Sequence, residues 1–318
     1  MGRYEYNMKK TELYIPSTND KDLLRAILWE PEGPAKAIMQ ISHGMIEHIG
    51  RYERFAKYLT EKGFVVIGND HLGHGKTAVR VNYGYFTHQA DASRYVVRDL
   101  HRVSLYIRRA YPDVPFFLLG HSMGSFMARR YAMTYGKELD GLILLGTGGQ
   151  AENMLRLGRT IVRFLTAIRG ERANSWLLEK MCFSLYNSRC KPVRTPSDWL
   201  TTDERMVDQY RRDPYCNFTF TLNGYKTLFE VISYVQNWRN VRKIPKSLPI
   251  LFMSGSEDPV GDYGYGVRKV VRSCRRRGIL DVTCHIYKGA RHELLNEREY
   301  MRYQEDIMKW LKERWGTF

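Results

Sequence analysis

Phe116-Phe117-Leu118-Leu119-Gly120-His121-Ser122-Met123-Gly124-Ser125 is the stretch on which the reading of this chain turns. Its four leading apolar residues read as a buried parallel strand, because a strand covered on both faces shows a continuous apolar run rather than alternation. After the serine, Phe126, Met127, Ala128, Tyr131 and Ala132 recur at helical spacing. The stretch therefore reads as strand, abrupt turn and helix, with Ser122 at the apex. G-x-S-x-G in that context is a nucleophile elbow. So sharp a turn strains the serine backbone and leaves no room for bulky neighbours, hence the glycines at 120 and 124. It also lifts the hydroxyl clear of the sheet and aims the unpaired N–H groups of the helix start at the reacting centre. The five-residue pattern alone arises by chance in roughly one chain of this length in ten, so the other parts of a site must be sought elsewhere in the chain.

Upstream, Thr11–Ile15 and Leu23–Trp29 read as strands joined by the turn-rich Ser17-Thr18-Asn19-Asp20. Ala37–Ile41 and Phe64–Gly68 are short apolar strands, and between them Tyr52, Phe55, Ala56, Tyr58 and Leu59 share a helical face closed by Gly63. A long helix is expected over Ala92–Ala110, stopped by Tyr111-Pro112-Asp113. Downstream, Gly141–Gly146, Pro249–Ser254 and Asp281–Tyr287 continue the strands, and residues 297–315 read as a terminal helix. Short apolar strands alternating with amphipathic helices predict an α/β fold with a mostly parallel central sheet. The alternation lapses between about Gln150 and Val241, where apolar residues recur only at helical spacing. The expected organisation is a core in two parts, residues 1–149 and 242–318, with residues 150–241 inserted as a helical cap over the carboxyl edge of the sheet. No internal repeat or low-complexity segment is visible.

Hydrophobic content of 43% and charged content of 26% are ordinary globular values and exclude disordered or fibrous classes. No apolar run approaches the ~18 residues of a membrane span. Met1-Gly2-Arg3-Tyr4-Glu5-Tyr6 has no apolar h-region, and Tyr6 stands where a myristoylation signal needs Ser or Thr, so a cytoplasmic protein is expected. Five cysteines, Cys182, Cys190, Cys216, Cys274 and Cys284, contain no C-x-x-C, which predicts reduced thiols and no metal site. The formal charge of +16 suits contact with anionic membrane surfaces or acidic substrates, and equally a solvated basic surface. The sharpest cluster, Arg272-Ser273-Cys274-Arg275-Arg276-Arg277, falls at a helix end, where cations complement the macrodipole. No nucleic-acid motif accompanies it, and no nucleic-acid partner is expected. Oligomeric state has no signature in the sequence.

A serine hydroxyl needs a base, and the base needs an orienting acid. Ligands of such sheets sit outside the carboxyl ends of the strands. There the chain offers Gly255-Ser256-Glu257-Asp258-Pro259-Val260-Gly261 and, after the last strand, Lys288-Gly289-Ala290-Arg291-His292-Glu293. The order Ser122, Asp258, His292 is nucleophile, acid, base. Glu257 competes with Asp258 for the acid, and a turn-capping role is the plain alternative for Asp258. His43, His48, His71, His74 and His121 follow no terminal strand and read as loop-ordering residues. Glu293 fits either a partner of the site or a neighbour of the last helix's cap. Backbone N–H groups of Met123 and of Met45, the latter in His43-Gly44-Met45, are the expected oxyanion donors.

With Asn69-Asp70-His71-Leu72-Gly73-His74-Gly75 and His43-Gly44-Met45-Ile46-Glu47-His48 added to these motifs, the chain resembles the monoacylglycerol lipase and lysophospholipase-like branch of the α/β-hydrolases, also grouped with serine aminopeptidase-like hydrolases. The resemblance covers most of the chain outside the insertion. It implies hydrolysis of a carboxylic ester, usually of a single-chain lipid, without a cofactor, and a cap that forms an acyl tunnel. Ser125 departs from the glycine common after G-x-S-x-G and is expected to narrow the pocket floor. Phe218 and Phe220 are the candidates for acyl-pocket lining, with ordinary packing as their alternative. An aminopeptidase or amidase of the same fold is the competing expectation, with Glu204, Asp208 or Asp213 holding a substrate ammonium. A non-catalytic binding protein on a hydrolase scaffold is the third.

Overall fold

The computed structural model describes residues 8–78 and 83–316. Met1–Tyr6, read above for targeting signals, lie outside the described residues. Eight strands form one sheet: β1 Lys9–Pro16, β2 Leu23–Glu30, β3 Ala37–Ser42, β4 Phe64–Asn69, β5 Phe116–His121, β6 Gly141–Leu145, β7 Ile250–Gly255 and β8 Val282–Tyr287. Their spatial order is β1-β2-β4-β3-β5-β6-β7-β8. β1 and β2 pair antiparallel, as do β2 and β4, and every pairing from β4 through β3 to β8 is parallel. The continuous apolar runs of β3 to β7 follow from this: all their residues are buried, because helices cover both faces.

The helices are α1 Glu53–Thr60, α2 Ala92–Ala110, α3 Met123–Tyr135, α4 Glu152–Arg169, α5 Trp176–Phe183, α6 Glu204–Arg212, α7 Leu222–Gln236, α8 Trp238–Val241, α9 Tyr265–Arg276 and α10 Tyr300–Trp315. On one face, α2, α3, α7 and α9 bury residues such as Leu100, Phe126, Tyr225 and Val267. On the other, α1 and α10 bury Phe55, Leu59, Ile307 and Leu311. Helix α2 begins at Asp91, whose side chain accepts from the Arg94 N–H, and its span matches the expectation from periodicity.

Between β6 and β7 the chain is helical, with α4 to α8 inserted to form the cap. Helix α7 also packs against α2 and α3, so its Tyr225, Val231 and Val235 belong to the core beneath the cap. Helix α6 escaped the reading of the sequence. Its ERMVDQYRR buries one residue, Val207, so it carries almost no apolar stripe to betray it. No helix among the described residues is long and apolar enough to cross a membrane.

Candidate active site

Ser122 occupies the expected elbow between β5 and α3, with φ +52° and ψ −121°. Two contacts hold this strained backbone: the Ser122 N–H donates to Leu145 O at 3.0 Å, and the Ser125 N–H to Ser122 O at 2.9 Å. The flanking glycines are forced by packing. A Cβ on Gly124 would lie 2.0 Å from Ser42 O, and one on Gly120 2.5 Å from Gly124 O. Ser125 is fully buried, and its hydroxyl donates to Ser122 O at 2.6 Å. It steadies the first turn of α3 and does not line the substrate space, contrary to the expected narrowing of the pocket floor.

The loops after β7 and β8 bring Asp258 and His292 together, and both are buried. His292 Nδ1 and Asp258 Oδ1 are 2.9 Å apart. The carboxylate also accepts from the Val260 N–H at 2.9 Å and the Ser254 hydroxyl at 3.1 Å. Glu257 turns away, to the Ser256 hydroxyl and to Arg189 at 3.7 Å. The His292 ring lies 4.9 Å from both Trp199 and His121. Its Nε2 has no hydrogen-bond partner among the described residues, and His292 lines the same cavity as Ser122.

The loop after β3 closes the site from the other side. A Cβ on Gly44 would lie 3.1 Å from Ser122 Cβ, so only glycine lets this loop approach the serine so closely. Ile46, at φ +55°, is a second strained residue of this loop. Met45 and Met123 both line the cavity. As the first residue of α3, Met123 has an N–H with no acceptor inside the helix.

Behind these loops lies an ionic cluster whose members the sequence offered only singly, Glu293 as a partner of the site or a cap neighbour and His121 as a loop-ordering residue. Arg51 grips both Glu293 oxygens, at 2.8 and 2.7 Å, and Glu47 Oε2 at 2.8 Å. Glu47 Oε1 accepts from the Gly44 N–H at 2.5 Å and the Tyr52 hydroxyl at 2.9 Å, and meets His121 Nδ1 at 3.0 Å. Burial favours neutral Glu47, yet the bond from His121 and the charge of Arg51 outweigh it and hold the carboxyl well below its usual range. Burial likewise opposes a charged His121, but Glu47 outweighs it and raises that imidazole. The remaining loop histidines are of another kind. Burial pushes His43 well below its usual value, His71 to about 3 and His74 to about 4, so all three stay neutral. They pack ring against ring, with 4.2 Å between His43 and His71.

Ser122 and His292 share a cavity of ≈ 270 Å³ with side chains from the cap. Met154, Leu155, Met181, Phe183, Phe229 and Ile232 give it apolar walls, while Glu47, His121 and Glu293 come from core loops. Phe218 and Phe220 are not among the lining residues. They pack instead on His74, Tyr83, Phe86 and Tyr225, beside the buried histidines. Their spacing marked them as apolar and inward-facing, but which of two neighbouring cores they enter is set by tertiary contacts.

The acidic cap residues also lie elsewhere. Asp208 pairs with Arg194 at 2.7 Å, Glu204 approaches the same arginine at 3.8 Å, and Asp213 meets His48 Nε2 at 2.9 Å. His48, Asp213 and Cys216 bring three ligand-type atoms within 4.8 Å of one another. Burial raises the Cys216 thiol, which favours its protonated form, and the other two groups already satisfy each other.

A family model described as serine aminopeptidase, S33, matches residues 33–299. A monoglyceride lipase homolog of monkeypox virus is 26% identical over 93% of this chain and 96% of its own length. The monoglyceride lipase of Mus musculus is 29% identical over 85% of this chain and 79% of its own. Among solved structures, a thermostable carboxyl esterase from Bacillus coagulans, in complex with glycerol, superposes with a TM-score of 0.89 at 32% identity, covering 97% of this chain and 99% of that one. A lipase in an open form superposes with a TM-score of 0.87 at 29% identity, covering 96% and 99%. The chain belongs to the serine aminopeptidase S33 family, in the esterase and lipase branch of the α/β-hydrolase superfamily.

Proposed function

We propose that this hydrolase cleaves esters that join one acyl chain to a small polar alcohol, the monoacylglycerol and lysophospholipid class. The observation that carries this is the two-sided cavity around Ser122, apolar where the cap helices line it and polar where Glu47, His121 and Glu293 do. Such a space takes an amphiphile with its ester between the two kinds of wall. The relatives that are monoglyceride lipases and the glycerol-bound esterase support the same reading.

In the proposed mechanism, His292 Nε2 takes the proton of Ser122 as the hydroxyl attacks the ester carbonyl. Asp258 holds the ring by Nδ1, so that Nε2 is the free base, and stabilises the imidazolium. The Met45 and Met123 N–H groups take the oxyanion. His292 then protonates the departing alcohol, and water attacks the acyl-enzyme with the same base.

Amide cleavage by an aminopeptidase is less well supported. The carboxylates on the cavity wall, Glu47 and Glu293, are both engaged by Arg51, and the acidic cap residues pair outside the cavity. Neither set offers a free anion to a substrate ammonium.

Contact with a membrane surface is part of the proposal. Helices α4 and α5 expose Leu157, Phe164, Ile168 and Trp176, and the last three are about two-thirds or more exposed, at 65%, 66% and 71%. Arg156, Arg159, Arg163 and Arg169 lie on the same helix α4. Apolar side chains among cations suit an anionic lipid interface.

A panel of monoacylglycerols, lysophospholipids, short aryl esters and aminoacyl anilides tests the activity, with folded Ser122→Ala as control. Long-chain monoesters should be the best substrates and Ser122→Ala should be inactive. Acetate esters turned over as well as long-chain ones, or an active Ser122→Ala, would overturn the reading. For the surface, co-sedimentation should rise when phosphatidylglycerol is added to phosphatidylcholine vesicles, and equal pelleting removes that part.

A further inference from the structure

A second cavity, of ≈ 220 Å³, lies among α3, α7, α9 and the strands β6 and β7. Gln150 lines both this cavity and the one around Ser122, so the two adjoin there. The partition is pinned from within: the Gln150 N–H donates to Gln236 Oε1, and Gln236 Nε2 donates to Gln150 O at 3.0 Å.

Arg129, on α3, lines this second cavity and is only 4% exposed. Its guanidinium donates to Gly148 O at 2.9 Å and Val235 O at 3.1 Å. Those carbonyls supply dipoles and no charge. Among the described residues no carboxylate lies within ion-pair distance of Arg129, unlike Arg51 with its two glutamates. Burial accordingly pulls the arginine down to about 10. A guanidinium carries five N–H donors in a planar fork suited to a carboxylate. Lys269, exposed on α9, adds a second cation to the lining, and Glu152, also exposed, is its one acidic side chain. Most of the remaining wall is apolar, including Met133, Leu144, Ile250 and Phe252.

A buried cation without a counter-charge is costly, and an apolar wall is left poorly filled by a small hydrated anion. One ligand class answers both, an anion with an aliphatic tail. At ~30 Å³ per heavy atom, the cavity holds roughly seven or eight heavy atoms. We propose that this cavity is a second binding site, taking an aliphatic carboxylate of about five or six carbons, with its head group on Arg129 and its chain along the apolar wall. The acid released from a short-chain ester belongs to this chemical class, so the source of the ligand rests on the ester cleavage proposed above, whereas its binding does not.

The test is calorimetric titration of hexanoate into the Ser122→Ala protein, with hexanol and acetate as comparison ligands. Hexanoate should bind at this site at least tenfold more tightly than hexanol, and equimolar acetate should not displace it. Ser273→Trp, a plug in the cavity lining that leaves Arg129 in place, should lower the hexanoate stoichiometry by one. Arg129→Gln should weaken that same site by tenfold or more. An unchanged stoichiometry in Ser273→Trp, hexanol binding as tightly as hexanoate, or displacement by acetate would each overturn the proposal. If Arg129→Gln does not fold, Ser273→Trp still decides. Hexanoate bound by a protein that hydrolyses no ester would sink the function proposed above and leave this site standing. An active esterase whose hexanoate stoichiometry ignores Ser273→Trp would do the reverse.

Discussion

His43 Nδ1 donates to the carbonyl of Gly44 across 2.8 Å. The tautomer follows from the other side of the ring, where Nε2 accepts the His71 N–H at 3.0 Å and so cannot carry the proton. Because a trans peptide is planar, fixing the Gly44 carbonyl also fixes the Met45 N–H, which points the opposite way. His43 is thus a positioning residue for one proposed oxyanion donor. His43→Phe should lower kcat by about tenfold or more, less than outright loss of a donor, which costs roughly a hundredfold or more. KM for a p-nitrophenyl ester should hardly move, because the ground-state carbonyl uses this donor weakly. A rise in KM at constant kcat would contradict the assignment.

Asp258 gives a sharper outcome. Asn in its place removes the negative charge behind the imidazolium, and an amide NH2 turned toward His292 Nδ1 would enforce the wrong tautomer and give up the Val260 N–H, which the same oxygen accepts. Asp258→Asn should reduce kcat by roughly 10⁴-fold with little change in melting temperature. Glu257→Gln should stay near wild type, since that side chain faces Arg189. Steady-state kinetics of the two variants side by side check the choice between adjacent carboxylates.

The buried histidines predict how stability changes with pH. His71 and His74 remain neutral in the folded protein down to about 3 and about 4. In the unfolded chain each protonates near ~6.5. Below that pH the unfolded state binds more protons, so stability falls as pH falls, by roughly 1.4 kcal/mol per pH unit per histidine, until the folded value is reached. Melting temperature should therefore drop steeply between pH 6.5 and pH 4. His74→Gln, which cannot titrate, should flatten that slope by about one proton. Equal slopes in the two proteins would show that His74 does not contribute.

Arg51 neutralises two buried glutamates, and its removal should destabilise the whole site. Arg51→Gln leaves Glu47 and Glu293 facing one another with only His121 as a cation. Breaking a buried pair by deleting one partner costs about 3–5 kcal/mol. Urea denaturation should show a loss of that order. Lys10→Gln, which breaks the exposed pair with Glu53, should cost less than about 1 kcal/mol.

What could be read from the sequence divides along the same physical line. Strand β5, the elbow and α3 are contiguous, so local periodicity and two glycines were enough to place Ser122 at a turn. The Asp258 and His292 loops were legible because each follows a strand and carries a turn signal. The Arg51–Glu293 pair joins residues 242 positions apart and leaves no local trace. Phe218 and Phe220, expected along an acyl pocket, lie outside the cavity around Ser122 for a related reason. Hydropathy reports that a side chain is buried, and only the crossing of α4, α5 and α7 over the core decides in which space.

That correction yields the last prediction. If the cap walls hold the acyl chain, shrinking the cavity there should shorten the preferred chain, while changing Phe220 should affect stability alone. Met181 lines the cavity from α5, so Met181→Trp should move the optimum of a p-nitrophenyl ester series toward shorter acids without lowering kcat for the shortest. Phe220 is fully buried against His74 and Tyr225. Phe220→Ala should cost about 3–5 kcal/mol of stability and leave the chain-length profile in place. A shifted profile in Phe220→Ala with none in Met181→Trp would return the acyl wall to the aromatic pair and detach it from the cap helices.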